Sequence, residues 1–325
     1  MKAALRLVAE DEAEIRLDRW FRRHFPGLAQ GMIERLCRTG QIRVDGRRAH
    51  GATRLASGQA VRIPPLLPEA PPVAPKPPDP ELVRELAGRI LYQDASILVL
   101  DKPAGLPVQG GPGIHRHLAG LLEGLRGDSG ERPRLVHRLD RDTSGVLLLA
   151  RSAAVAASLA SAFRGREVKK LYWAIVIGAP TPPEGRIDLA LIRTRNHRFG
   201  RTEPAEAGPA ARAITDYRTH ERAGNRFAWL ELSPLTGRTH QLRVHCTALG
   251  NPVLGDVTYG GEDARPRGFP PLLHLLARRI SLLHPMGGHI SVEAPLPAHM
   301  RETFRLLGFA APRTSPPHRT GGSPA

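Results

Sequence analysis

Three short stretches of the chain carry side chains that can do chemistry. The first, HRLDRDTSG (residues 137–145), follows an apolar strand end with a polar turn of Asp140, Arg141, Asp142, Thr143, Ser144 and Gly145, then enters the apolar strand VLLLA. Turns after strands are where a rigid scaffold presents catalytic groups, and they are also where Asp and Ser sit for purely local hydrogen bonds. Asp140 is therefore open to both readings. The second stretch, LTGRTHQLRVHCTALG, sets Gly237 and Arg238 just ahead of a helix, where a compact approach leaves the guanidinium free to point into a cleft. An Arg there can hold a carboxylate in its ionised form or clamp a phosphate. His240 and His245 do not have the spacing of two metal ligands on one helical face, and no Cys or Glu completes a site, so they read as structural or RNA-contacting. In the third stretch, KKLYWAIVIG, a strand puts Lys170, Tyr172 and Ala174 on one face and Leu171, Trp173 and Ile175 on the other. On that pattern alone Tyr172 is a half-buried sheet residue.

The elements that must position these residues lie in about the last 230 positions. Strands are expected near residues 89–92, 97–100, 145–150, 170–177, 214–218 and 227–233, and helices over 153–163 and 239–249, the latter bounded by a Thr cap and Gly250. Regular strand–helix alternation is absent, so the expected class is α+β: a mixed, largely antiparallel sheet flanked by helices. Residues 195–212 read as a mobile loop, and the last residues, 311–325, as a disordered tail.

Composition sets the wider frame. With 325 residues, of which 41% are apolar, the chain is long enough for one sizeable core and a smaller domain. Lys and Arg outnumber Asp and Glu by 47 to 31, a net charge of +16 that favours a polyanionic partner such as nucleic acid or an acidic membrane surface. Cys37 and Cys246 have neither a CxxC spacing nor an even framework, and read as reduced thiols in cytoplasm. The N-terminus meets Glu10, Asp11 and Glu12 before any signal-peptide core develops, and no run approaches the ~20 apolar residues of a membrane span. A soluble, non-exported protein is expected.

From Pro64 to Pro80, nine of seventeen residues are proline, which favours an extended, semi-rigid linker. Before it, residues 15–25 and 31–37 read as two short helices, the second stopped by Gly40, followed by a strand, an Asp45-Gly46 turn and a last strand ending at Ile63. Leu17, Trp20, Phe21, Ile33 and Leu36 can form a minimal core while Arg16, Arg19, Arg22, Arg23, Arg35 and Arg38 stay outward, as an RNA-facing surface or as a merely solvated helix face. Residues 12–63 resemble the small-subunit ribosomal protein S-four type of RNA-binding domain, through Arg16-Leu17-Asp18, the helix running to Gly40, Val44-Asp45-Gly46 and Gly58. The resemblance implies a small α/β domain that holds structured RNA through its backbone, with Arg16, Arg19, Arg35 and Arg38 as contacts and little sequence readout.

The remaining motifs resemble, in order, the RluA family of pseudouridine synthases and within it the RluC type. They are ILVLDKPAGLPVQGG (97–111), HRLDRDTSGVLLLAR (137–151), KKLYWAIV (169–176), AITDY (213–217), GRTHQLRVH (237–245) and GNPVLGDVTYG (250–260), with later histidines at His274 and His284. The resemblance makes residues 81–310 the catalytic domain, residues 64–80 its linker and Asp140 its essential carboxylate. It also implies that Arg138 lies beside a flipped nucleotide, that Tyr172 stacks on the target uracil, and that Arg238 pairs with Asp140, keeping it ionised and aimed. The implied reaction detaches uracil at its ring nitrogen and rejoins it through carbon 5, so no cofactor or metal is required. The implied partner is 23S ribosomal RNA or the assembling large ribosomal subunit, with no membrane involved, and the implied state is a cytoplasmic monomer. A sister of the RluD type, a tRNA-acting relative and a non-catalytic RNA-binding protein are the alternatives; the retained carboxylate and tyrosine speak against the last. Leu275, where relatives have a small residue after the histidine, departs from the pattern and is expected to alter packing under the sheet.

Overall fold

The structure, a computed structural model, describes the chain except for residues 1–3, 13, 26, 66–77, 111–113, 115, 128–129, 195–200, 206–209, 311–313 and 321–325. It divides into two compact units, Met1–Pro77 and Pro78–Ala325. Most of the proline-rich stretch falls outside the described residues.

The first unit holds β1 (Ala4–Leu7), α1 (Leu17–His24), α2 (Gln30–Arg38), β2 (Arg43–Val44), β3 (Arg47–Arg48) and β4 (Ala60–Ile63), with an antiparallel sheet in the order β1-β4-β2-β3. Leu17, Trp20, Phe21, Ile33 and Leu36 pack into one core, as their helical spacing requires. Asp45 and Gly46 join β2 to β3 with φ of 47° and 74°, the positive pair that matches a tight hairpin to strand twist. Glu12 is buried under α1 and accepts hydrogen bonds from Trp20 Nε1 (2.7 Å) and the Ala9 amide (3.2 Å). The unit begins earlier than residue 12, because β1 covers the edge of β4. All four residues of β1 are exposed, so it carries no buried face for a sequence pattern to show. Arg19, Arg35 and Arg38 are exposed as expected, whereas Arg16 lays its guanidinium along Asp18 (3.1 and 2.7 Å).

The second unit follows with α3 (Pro80–Ala87), β5 (Ile90–Gln93), β6 (Ile97–Lys102), α4 (Leu118–Leu121), β7 (Arg134–Leu135), β8 (Ser144–Ala150), α5 (Ala153–Gly165) and β9 (Lys169–Ile177). It continues with β10 (Glu184–Thr194), β11 (Arg201–Pro204), β12 (Ala211–Ala223), β13 (Phe227–Pro234), α6 (Gln241–Ala248), α7 (Val257–Gly260), β14 (Leu275–Leu283), β15 (His289–Glu293), α8 (Ala298–Leu307) and β16 (His318–Thr320). These strands form one twelve-stranded sheet with the central path β11-β10-β12-β13-β9-β14-β8-β6-β5. Among the described residues every pairing is antiparallel except β14 with β8, which confirms the mixed, largely antiparallel sheet flanked by helices.

Strand alternation builds a core on each face. Ile97, Val99, Val146, Leu148, Trp173 and Ile175 meet Leu159 of α5 and Phe304 of α8. On the opposite face Leu98, Leu100, Leu147 and Leu149 meet α3 and α4, while Ala174, Val176, Leu230 and Leu232 meet Leu242 and Cys246 of α6. Both cysteines are buried and unbridged. Two expectations of disorder are corrected. The stretch 195–212 contains β11, paired to β10, and the tail contains β16, paired to the open edge of β15, with Arg319 donating to the Gly287 carbonyl at 2.8 Å. Residues 195–200 and 206–209 of the first segment, and 311–313 and 321–325 of the tail, lie outside the described residues.

The parallel pairing of β14 with β8 fixes where the polar turn sits. Gly145 adopts φ of 104° at the point where β8 meets β14, and a Cβ there would lie 2.3 Å from the Ala277 carbonyl oxygen. Backbone cannot yield as a side chain can, so only glycine admits this approach. Gly145→Ala is expected to lower stability by about 2–4 kcal/mol, from overpacking and a strained φ together. A urea unfolding curve that coincides with that of the parent chain would contradict this account.

Candidate active site

The polar turn, β9 and the loop from β13 to α6 converge on one cleft. Its walls include Asp140, Tyr172, Lys170, Arg138, Arg238 and His240, so the structure brings together all three stretches singled out from sequence. Tyr172 faces it from β9, held between Leu232 of β13 and Ala277 of β14. Leu275 lines the same cleft and is buried, so the departure noted in the sequence reaches the site itself.

A buried ammonium positions the Asp140 turn. Lys102, at the end of β6, is wholly inaccessible and donates to the carbonyls of Pro103 (2.8 Å), Leu106 (3.0 Å) and Arg141 (2.9 Å). The Arg141 carbonyl also accepts from the Gly105 amide at 2.9 Å, so the DKPAG loop and the turn are one hydrogen-bonded piece. Burial draws Lys102 down to about 8, against the opposing pull of Asp142, Asp140 and Asp101. His137, on the other side of the turn, is pushed down to about 3 by burial and then by Lys170; its neutral Nε2 accepts the Leu148 amide at 2.9 Å. Among the described residues the Asp140 side chain makes no hydrogen bond, whereas Asp142 pairs with Arg141 at 2.9 Å. The turn's local bonding is thus done by its neighbours, and the reading of Asp140 as a mere turn stabiliser loses its support.

The loop leading to α6 is held by Gln241. Its buried amide donates to the Ile214 carbonyl and Thr215 Oγ1 (3.0 Å each), and its carbonyl accepts from Thr236 Oγ1 (2.7 Å) and the Arg238 amide (3.0 Å). The expected Thr cap does not form. The residue before α6 is His240 at φ of 54°, without a capping side chain, and Gln241 reaches back to satisfy the loop instead. That bend turns the His240 ring into the cleft. Its Nδ1 lies 2.8 Å from the Tyr259 hydroxyl and its Nε2 4.0 Å from Asp140 Oδ1. Burial lowers the His240 pKa, partly offset by Asp140, so the ring is neutral at neutral pH.

The expected pairing of Arg238 with Asp140 is not made. The Arg238 guanidinium is exposed at the cleft and donates from Nε to the Arg212 carbonyl at 3.3 Å. Arg243, which the sequence reading passed over, is the buried guanidinium behind the site. It forks onto Asp256 (2.7 and 2.6 Å) and stacks over Tyr259 at 4.9 Å. Asp140 acts through space on both Arg243 and Lys102. The invariant chemistry of a buried cation needing a partner could have flagged Lys102 and Arg243, had their burial been legible. Burial first, and Asp140 second, raise the Tyr172 hydroxyl above its ordinary value, so it remains protonated. Among the described residues no group of His, Cys, Asp or Glu has a metal-binding arrangement, and no helix is long and apolar enough to cross a membrane.

An uncommitted carboxylate at the floor of a cleft, a protonated tyrosine beside it and exposed arginines around it define an enzyme acting on a polyanion. The sequence profile of the RNA pseudouridylate synthase family matches residues 96–248. The chain is 34% identical to the ribosomal large subunit pseudouridine synthase C of Vibrio cholerae over 311 residues, covering 92% of this chain and 95% of that one. It is 32% identical to the mitochondrial RNA pseudouridine synthase 4 of Arabidopsis thaliana, covering 89% of this chain and 78% of that one. The solved structure of human RNA pseudouridylate synthase domain containing 4 superposes with a TM-score of 0.59 at 29% identity, covering 72% of this chain and 98% of that one. The chain belongs to the RluA family of RNA pseudouridine synthases.

Lys102 supplies the test of the site's construction. The unfolded chain keeps the lysine proton to about pH 10.4, whereas the folded chain releases it near 8. Between those values the unfolded state binds more protons, so stability rises with pH; below about 8 the cost of the buried charge is present in full. Lys102→Met should erase that rise in urea titrations. It should also lower kcat by about 10²-fold with little change in KM, because the turn shifts while the RNA-facing surface does not. A variant with parental kcat would show that the three carbonyls do not need the ammonium.

Proposed function

We propose that this chain isomerises specific uridines of large-subunit (23S) ribosomal RNA, with Asp140 as the essential carboxylate. The observation that carries the reading is the Asp140 side chain, free of hydrogen bonds to described residues, in a cleft shared with Tyr172, Arg138 and Arg238. The ribosomal target is supported by the names of the similar bacterial relatives.

In the reaction the bond from uracil N1 to the ribose breaks, a bond from C5 forms, the C5 proton leaves and N1 ends protonated. The target nucleotide must leave its stack to reach a cleft, at a cost of a few kcal/mol, which exposed Arg138 and Arg238 offset by holding phosphates. Arg238, not being tied to Asp140, is available for that task. Asp140 attacks the sugar or base, or takes a proton, as an anion. A tyrosine kept protonated by burial is a weak base, so Tyr172 fits the part of a face that holds the ring. His240 Nε2, 4.0 Å from Asp140 Oδ1, faces the carboxylate without a hydrogen bond to it. The first unit serves as a tether, with exposed Arg19, Arg35 and Arg38 on phosphates and Arg16 shaping the surface through Asp18.

Asp140→Asn is expected to bind ribosomal RNA with parental affinity and to release no tritium from RNA labelled at C5 of uridine; sustained release would remove Asp140 from its role. For the tether, the triple change Arg19→Gln, Arg35→Gln, Arg38→Gln should flatten the dependence of log affinity on log salt by roughly 2, about 0.7–0.9 per lost phosphate contact. An unaltered slope would leave the first unit without its assigned part.

A further inference from the structure

Beside the cleft, and continuous with it through Arg138, Lys170, Tyr172 and Arg238, runs a larger groove of about 810 Å³ between the end of α5, the start of β9 and the loop after β13. That volume is near the top of the roughly 300–1,000 Å³ range of small-molecule clefts, more than a single flipped base needs. The groove contains Arg138, Arg164, Arg166, Lys169, Lys170 and Arg238, and no carboxylate lines it among the described residues. None of these six cations forms an ion pair with a described carboxylate. Elsewhere on the same unit exposed arginines do pair, as Arg89 with Glu85, Arg186 with Asp216, and Arg218 with Glu184.

The groove also has an apolar wall. The partly buried Phe163 stacks on the neutral His137 ring at 4.7 Å, Pro234 lines the groove with it, and Leu235 is 40% exposed. Arg166 ends α5 in a left-handed conformation, φ 62°, which projects the chain back toward Lys169 and Lys170. Lys170 is half-buried at the junction of groove and cleft, and burial lowers its pKa. Unpaired cations beside exposed apolar and aromatic surface are the combination that single-stranded nucleic acid uses, phosphates on the cations and bases against the wall. A duplex, with its bases stacked inside, has no use for the apolar side.

We propose that this groove holds the single-stranded RNA segment adjoining the flipped uridine, with Lys170 at the junction taking the phosphate next to the reacting nucleotide and Arg164, Arg166 and Lys169 taking those beyond it. The proposal deepens the reading of the chain as an rRNA uridine isomerase and rests on it. It assigns three residues outside the catalytic cleft to substrate grip, and it selects for targets whose flanking nucleotides are unpaired.

The test uses the full chain and two probes of equal length, a labelled single-stranded oligouridylate and an RNA duplex, each titrated at several salt concentrations. The variant Arg164→Gln, Arg166→Asn, Lys169→Gln is compared with Arg89→Gln, Arg186→Gln, Arg218→Gln, which removes the same charge from paired positions. Asn at 166 tolerates the left-handed conformation, and thermal unfolding verifies that both variants are folded. For the single strand, the groove variant should lose about 2 from the salt slope, at about 0.7 per contact, while the control variant keeps it. Equal losses in both variants, no loss in the groove variant, or a loss confined to the duplex would each overturn the proposal. Tritium release by the parent chain and by Asp140→Asn is measured in parallel. Turnover that survives Asp140→Asn would strike at the catalytic reading while leaving the groove slopes to be judged on their own.

Discussion

The second unit is arranged around one buried ammonium. Lys102 gathers three carbonyls from two loops, and by strand register it lies across from Gly145, the residue at which β8 comes against β14. The Asp140 turn is therefore clamped at both ends, by Lys102 through the Arg141 carbonyl and by a backbone approach that only glycine admits. Burying an ammonium is costly, and the pull of Lys102 down to about 8 records that cost. Three carbonyl acceptors offset it, and what results is a turn whose shape does not depend on the Asp140 carboxylate. The carboxylate is left available because the turn is held by something else.

Cations in this unit divide by depth. Lys102 and Arg243 are buried and fully engaged, one by carbonyls and the other by Asp256 and the Tyr259 ring. Both interact with Asp140 through space from fixed, hydrogen-bonded positions. Arg138 and Arg238 are exposed and make no ion pair with a described carboxylate, as the proposed grip on phosphates requires. Tyr259 links the two layers, since it meets both the Arg243 guanidinium and the His240 ring that faces Asp140. A change at Arg243 would consequently be felt at His240 before it was felt at RNA.

Much of this was legible in the sequence where local rules govern. The two-residue alternation of KKLYWAIVIG placed Tyr172 and Trp173 on opposite faces correctly, and Gly40, Gly46 and Gly250 marked turns that the structure makes with positive φ. The cleft's membership was legible from three motifs, though not its wiring. Pairing Arg238 with Asp140 is an implication of the family resemblance, but whether a guanidinium turns inward depends on the backbone it leaves. Gln241 and the left-handed His240 turn that loop so that histidine, not arginine, faces the carboxylate. The strands β1 and β16 escaped for a different reason. Both pair at sheet edges with mostly exposed side chains, so hydrogen bonding holds them where no apolar pattern announces them.

The absence of an Arg238–Asp140 pair bears on how such a site can work at all. A guanidinium forked onto the carboxylate would occupy both oxygens and the directions from which a sugar or base must approach. Here the fork is made one layer back, between Arg243 and Asp256, and the charge reaches Asp140 through space. His240, 4.0 Å away, faces the carboxylate without a hydrogen bond to it. With the fork on Asp256, both Asp140 oxygens stay free of hydrogen bonds to described residues. The polar network behind the cleft, Gln241 with Thr215, Thr236 and the Ile214 backbone, is buried and fixes the loop that turns His240 toward Asp140 and Arg238 away from it.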